Sequence, residues 1–237
     1  MKLYVNWVPW MSIDANLSEV ESRIRSAALR AGRDPASVVL VAVSKTRPAE
    51  DVLRAYRSGQ IVFGENYVQE LITKTAEVPE AVQWHFIGHL QSNKVKYIAG
   101  LVTLIHSVDR LSLAQEISRQ WGKLGRCCDI LLQVNISGET SKSGTTEADA
   151  IQLVRDVALL PQVRVRGLMT MPPFFDDPEA ARPCFAALRR LSRTIAAENI
   201  PGVAMEELSM GMSGDFEVAI QEGATLVRVG TSIFGKR

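Results

Sequence analysis

A lysine that closes an apolar run, an arginine set between two valines, and two glycine–serine segments near the carboxyl terminus are the residues here best suited to chemistry. Lys45 follows the run at 38–43, and the two-residue period of a strand puts it on one face with Val39, Val41 and Val43. If that face turns inward, desolvation lowers the lysine pKa, and the neutral amine can form a Schiff base with an aldehyde. A rim lysine that pairs with Glu65 or reaches solvent fits the same spacing. The segment SMGMSGD at 209–215 offers Ser213 as an N-cap ahead of Asp215, where a hydroxyl and backbone N–H groups can meet an anion. In RVGTSIFG at 228–235, Gly230 and Thr231 directly follow an apolar run, and glycine lets backbone approach oxygen atoms closely. Both segments also have plainer readings, a helix cap and a chain turn. Arg228, between Val227 and Val229, has less latitude, because a charge in a buried strand needs a partner.

Only particular scaffolds bring positions 45, 213, 228 and 230 to one place. Apolar runs at 38–43, 61–63, 84–87, 101–106, 129–136, 163–169, 207–209 and 226–229 read as strands covered on both faces. Helical intervals at 49–57, 65–76, 93–98, 111–124, 147–159, 180–198 and 215–221 separate them, and an amphipathic helix beginning near Leu17 comes first and ends near Gly32. Strict alternation with no hairpin signal predicts a parallel sheet with crossover helices. Eight such units predict an α/β fold, a single-domain (β/α)8 TIM barrel; an open doubly wound sheet is the rival, although the GxGxxG turn of a dinucleotide-binding first strand is missing. In a barrel, chemistry collects at the carboxyl ends of the strands, and the loops after the seventh and eighth commonly bind phosphate. The expected division is an N-terminal extension, 1–16, followed by the barrel, 17–237.

Composition limits the partners. The 237 residues carry 27 Lys+Arg against 26 Asp+Glu, a net charge of +1, so no dominant field points to nucleic acid or an acidic membrane. Lys94 and Lys96 beside Tyr97 are too few for a nucleic-acid patch. Three cysteines without a CxxC pair suggest a reducing, cytoplasmic setting, and no stretch is apolar enough to span a membrane. His85, His89 and His106 sit in different units and form no recognised metal motif, so no metal is expected; His106 reads as a packing histidine and His89 as a neighbour of the active rim. The segment MPPFFDDPEAARP at 171–183 reads as a stiff rim loop that shapes access.

Six motifs in order, VAVSKT (41–46), FGENYVQE (63–70), HFIGHLQSNK (85–94), GLMTM (167–171), LSMGMSGDFEVAI (208–220) and VRVGTSIFG (227–235), resemble the pyridoxal phosphate homeostasis protein family, the single-domain relative of the alanine racemase N-terminal barrel. The resemblance covers residues 17–237. It implies pyridoxal 5′-phosphate (PLP) held as a Schiff base on Lys45, with phosphate contacts from Ser213, Gly230 and Thr231. It also implies Arg228 near the ring or the phosphate, and Asn66 in the cofactor wall. No catalytic residue is assigned. The implied function is to buffer or transfer the cofactor in vitamin B6 and amino-acid homeostasis, as a cytoplasmic monomer that meets PLP-accepting apoenzymes transiently. The alternative is a racemase-like PLP enzyme acting on a small amino acid, and a barrel binding a phosphate ligand without a covalent bond is a third reading. The racemase reading lacks its opposing base: none of Tyr4, Tyr56, Tyr67 and Tyr97 lies in the carboxyl-terminal region where that family places its tyrosine.

Overall fold

The chain closes on itself because its first and last long strands pair. A computed structural model describes residues 12–139 and 143–236. Nine strands run in chain order: β1 (Val39–Val43), β2 (Val62–Glu65), β3 (Gln83–Phe86), β4 (Leu104–Val108), β5 (Cys128–Asn135), β6 (Thr145–Thr146), β7 (Val163–Met169), β8 (Val203–Met212) and β9 (Leu226–Val229). Neighbours follow the sequence from β1 to β5, continue through β7, β8 and β9, and return to β1, where Val41 pairs with Arg228. All pairings are parallel, and the two-residue β6 lies beside β5 outside the ring. The rival open sheet is thereby excluded.

The helices are α1 (Ile13–Arg30), α2 (Ala49–Arg57), α3 (Val68–Thr75), α4 (Val95–Ile98), α5 (Leu111–Gly122), α6 (Glu147–Ala158), α7 (Arg182–Ala197), α8 (Phe216–Gln221) and α9 (Thr231–Phe234). Their buried residues join the layer outside the strands; in α1, which packs against α2, α8 and α9, these are Leu17, Val20, Ile24, Ala27 and Ala28. Phe63, Phe86, Phe185 and Phe216 are fully buried in this layer, each contributing about 1.5–3 kcal/mol. Inside the barrel Val41, Leu104, Leu131, Met169 and Leu226 form a separate, smaller apolar cluster. Alternation along each strand accounts for the two cores, since neighbouring residues face opposite ways.

Several boundaries depart from the sequence expectations. Helix α1 starts at Ile13 rather than near Leu17, and the side chain of Asn16 donates to the Ile233 carbonyl at 2.8 Å. Most of the expected extension, residues 1–11, lies outside the described residues. Strand β8 has ten residues where a three-residue run was expected, because its register against β7 and β9 shifts and the extra length is only partly apolar. Helix α3 begins at Val68, since Glu65 ends β2. The four-residue α9 is too short to show a helical period. Among the described residues, no helix is long and apolar enough to cross a membrane.

Candidate functional site

Strand β1 delivers Lys45 to the carboxyl mouth of the barrel. Val41, in the inner cluster, and Val43 and Lys45, at the cavity, continue one side of the chain, whereas Val39 is 38% exposed where the strand begins. Ser44 turns the other way and is buried. Its hydroxyl donates to Glu65 Oε1 at 2.7 Å, and its carbonyl accepts from Lys74 Nζ at 2.8 Å. Lys74 also donates to Glu65 Oε1 at 2.6 Å and to Glu70 Oε2 at 3.2 Å. Thr46, at φ 61°, gives its N–H to the same Glu70 oxygen at 2.7 Å. The residues on both sides of Lys45 are thus tied to one buried ionic cluster. Burial pushes the Glu65 carboxyl up, and the Lys74 ammonium and the Ser44 hydroxyl oppose that shift. The sequence reading offered Lys45 as a partner for Glu65; Glu65 forms an ion pair with Lys74 at 2.6 Å.

The opposite wall comes from the ends of β8 and β9. Gly211, at φ 93°, permits a close approach: a Cβ there would lie 2.6 Å from Ala219 Cβ and 2.9 Å from Phe216 Cα. The chain then turns through Met212, whose N–H donates to Asp215 Oδ1 at 2.6 Å. Burial pushes the Asp215 carboxyl up, against this bond and the Arg228 charge. Ser213 is not the expected helix cap. Asp215 occupies that position without a side-chain cap bond, and α8 has only six residues. The Ser213 hydroxyl instead accepts from Gly230 N at 3.2 Å, which joins the two loops.

Lys45, Asn66, Ser213, Arg228, Gly230 and Thr231 line one cavity of about 510 Å³. Met171, Phe174 and Phe175 of the rim loop line it as well, with Phe174 88% exposed. Asn66 follows β2, and its buried Oδ1 has no hydrogen-bond partner among the described residues. Gly88 packs directly against its backbone, where a Cβ would come within 2.2 Å of the Asn66 carbonyl oxygen. A buried acceptor left open beside a cavity is able to take a donor from outside the chain.

Arg228 is buried, donating to Ser209 Oγ at 2.5 Å and to the Thr170 carbonyl at 2.9 Å. Burial lowers its pKa to about 10, with Asp215 opposing, so it is a cation at neutral pH. Ser209 lies inside the barrel, buried beside Arg228. Its hydroxyl is 2.8 Å from His106 Nδ1, and His106 Nε2 is 3.0 Å from His85 Nδ1. Burial brings the His85 pKa down to about 4; burial, His85 and Arg228 hold His106 well below the ordinary range. His89 and Lys94 line a second cavity of about 530 Å³, which shares Asn66 with the first. Lys94 and Lys96 lie against the Tyr97 ring. No cluster able to hold a metal occurs among the described residues.

Of the tyrosines, Tyr67 and Tyr97 line the second cavity, Tyr56 packs on the outer core, and Tyr4 lies outside the described residues. The sequence reading missed Lys74 and Asp215. For Lys74 a signal existed: it stands three residues after Leu71, on the buried face of α3.

Comparison with known proteins agrees with this architecture. The family model "Alanine racemase, N-terminal domain" matches residues 15–237. The chain is 46% identical over 228 residues to the pyridoxal phosphate homeostasis protein of Aquifex aeolicus, covering 96% of this chain and 99% of that one. It is 47% identical over 227 residues to the protein of that name from Pseudomonas aeruginosa, covering 95% and 96%. It is also similar to the structure of PipY from Synechococcus elongatus with PLP bound, at 38% identity and TM-score 0.83, covering 94% of this chain and 100% of that one.

Proposed function

From the premise that this chain belongs to the pyridoxal phosphate homeostasis protein family, we propose that it holds PLP in the cavity between Lys45 and the β8 and β9 loops and releases it to proteins that need it. The carrying observation is the meeting of an amine, a buried guanidinium, a hydroxyl, two backbone loops and an orphaned acceptor around one space of about 510 Å³. That donor set fits the cofactor. PLP brings an aldehyde that condenses with an amine, losing water, and a phosphate that needs several donors.

Lys45 supplies the amine, and the cluster around Ser44 holds its loop in place. The Ser213 hydroxyl, which keeps its own proton to donate while it accepts from Gly230 N, and the backbone at Thr231 would supply the phosphate side, with Gly230 giving room for close approach. Asn66 closes the wall between them. Arg228 stays charged and disfavours a second positive charge beside it, so ring-nitrogen protonation there is opposed. The cavity opens at an exposed rim carrying Phe174, which suits exchange with solvent or with a recipient protein. The reading extends to a cytoplasmic monomer that serves PLP-dependent apoenzymes.

The test is Lys45→Ala. Borohydride reduction of the loaded unaltered protein should fix the cofactor on the Lys45 peptide, and the variant should lose the visible absorption of the covalent linkage while retaining weaker, dialysable binding. Retention of that absorption by the variant would end the assignment of Lys45.

A further inference from the structure

Beneath the cavity floor, four polar side chains from four strands form one unbroken line across the interior of the barrel. They are Arg228 on β9, Ser209 on β8, His106 on β4 and His85 on β3, and all are buried. Each of these groups meets the next within hydrogen-bond distance, so their bonds to one another bear on where each proton sits.

Matching donors to acceptors favours one arrangement. Arginine only donates, so Ser209 Oγ accepts from Arg228 Nη1 at 2.5 Å. The serine proton then goes to His106 Nδ1 at 2.8 Å. His106 must carry its own proton on Nε2, donating it to His85 Nδ1 at 3.0 Å, which leaves the His85 proton on Nε2. The reverse order would have Ser209 accept from both Arg228 and His106, leaving its own O–H buried without an acceptor among the described residues. Burial keeps both imidazoles neutral, and the Arg228 charge at the head of the line adds to that for His106.

We propose that Ser209, His106 and His85 are positioning residues: a one-way hydrogen-bond line that fixes the Arg228 guanidinium at the cavity floor and thereby sets how tightly PLP is held. The inference rests on the cofactor assignment above and adds residues that do not themselves line the cavity. Two of the five guanidinium N–H groups are committed, one to Ser209 and one to the Thr170 carbonyl, which fixes the plane of the group. Loss of the Ser209 contact leaves the Thr170 bond as its one hydrogen bond among the described residues and frees His106 to change tautomer.

Nitrogen-15 NMR of the full, cofactor-free chain labelled in histidine tests the proton order directly. Both His85 and His106 should show a proton on Nε2 and none on Nδ1, with no change between pH 5 and 8. In Ser209→Ala the His106 Nδ1 resonance should move as its donor disappears, and PLP affinity, read by equilibrium dialysis, should fall about tenfold. A proton on Nδ1 of either ring, titration of either ring in that range, or a Ser209→Ala protein that binds PLP as tightly as the unaltered chain would overturn the inference. Because the spectra need no cofactor, a wrong proton order sinks the positioning line alone. Failure of the unaltered protein to take up PLP sinks the cofactor reading and the inference together.

Discussion

The two walls of the cavity are built by opposite means. Around Lys45 the chain is held by charges: Lys74, Glu65 and Glu70 meet behind the loop, with Ser44 and Thr46 attached to them. Around Ser213 and Gly230 the support is a glycine turn, backbone donors and a neutral hydrogen-bond line, with Arg228 as its cation. A wall that must keep one amine in register gains from a rigid ionic anchor close behind it. A wall proposed to receive an anion gains from donors that bring little bulk. Asp215 also lines the cavity; its Oδ1 accepts from the Met212 N–H, and burial pushes its carboxyl pKa up.

The contrast can be broken at its strongest point first. Lys74→Met leaves Glu65 and its neighbours in a buried site without their cation, and unfolding free energy should fall by about 3–5 kcal/mol. The double change Lys74→Met with Glu65→Gln should recover part of that loss, because the fully buried carboxylate is then replaced by a neutral group and only the partly exposed Glu70 is left without its cation. Denaturant titrations of the three proteins read both effects, and a Lys74→Met cost below about 1 kcal/mol would remove the ionic anchor from the description of this wall.

Acid should sharpen the contrast from the other side. His85 titrates near pH 4 in the folded chain and near 6.5 when unfolded, so the unfolded chain binds more protons between those values. The stability contributed by the neutral ring is therefore fully present above about pH 6.5 and is lost as the pH falls through 4. Between pH 7 and pH 5 this amounts to about 2 kcal/mol for His85, with His106 acting in the same direction. His85→Gln should flatten that part of the profile. A slope identical to that of the unaltered protein would show that the line does not bear the acid sensitivity.

The smallest expected effect lies in the loop itself. Ser213→Ala removes one hydroxyl acceptor from Gly230 N, so stability should change by about 1 kcal/mol at most, while PLP affinity falls about fivefold. A variant that loses stability well beyond this without losing affinity would make Ser213 a brace of the fold.

Much of this was legible in the chain because a barrel writes itself into sequence as regularly spaced apolar runs, each covered on both faces. The runs at 38–43 and 226–229 marked β1 and β9, and the strand period placed Lys45 in line with Val41 and Val43. Family motifs added Asn66, which no local pattern distinguishes from a loop residue. The ten-residue length of β8 was not legible, because its irregular register is set by contacts with β7 and β9 rather than by its own residues.

The sequence by itself determined the order of the elements, the end of the barrel at which polar residues gather, and the presence of a lysine, an arginine and two glycine loops there. Those follow from hydrophobic periodicity and chain order, which are local properties. Only the tertiary structure decided that Glu65 pairs with Lys74, that Ser213 accepts from Gly230 instead of capping a helix, and that Ser209, His106 and His85 stand in line beneath Arg228. Hydrogen bonds and ion pairs act over about 3 Å, and which groups come that close depends on how far each strand slides against its neighbours when the barrel closes.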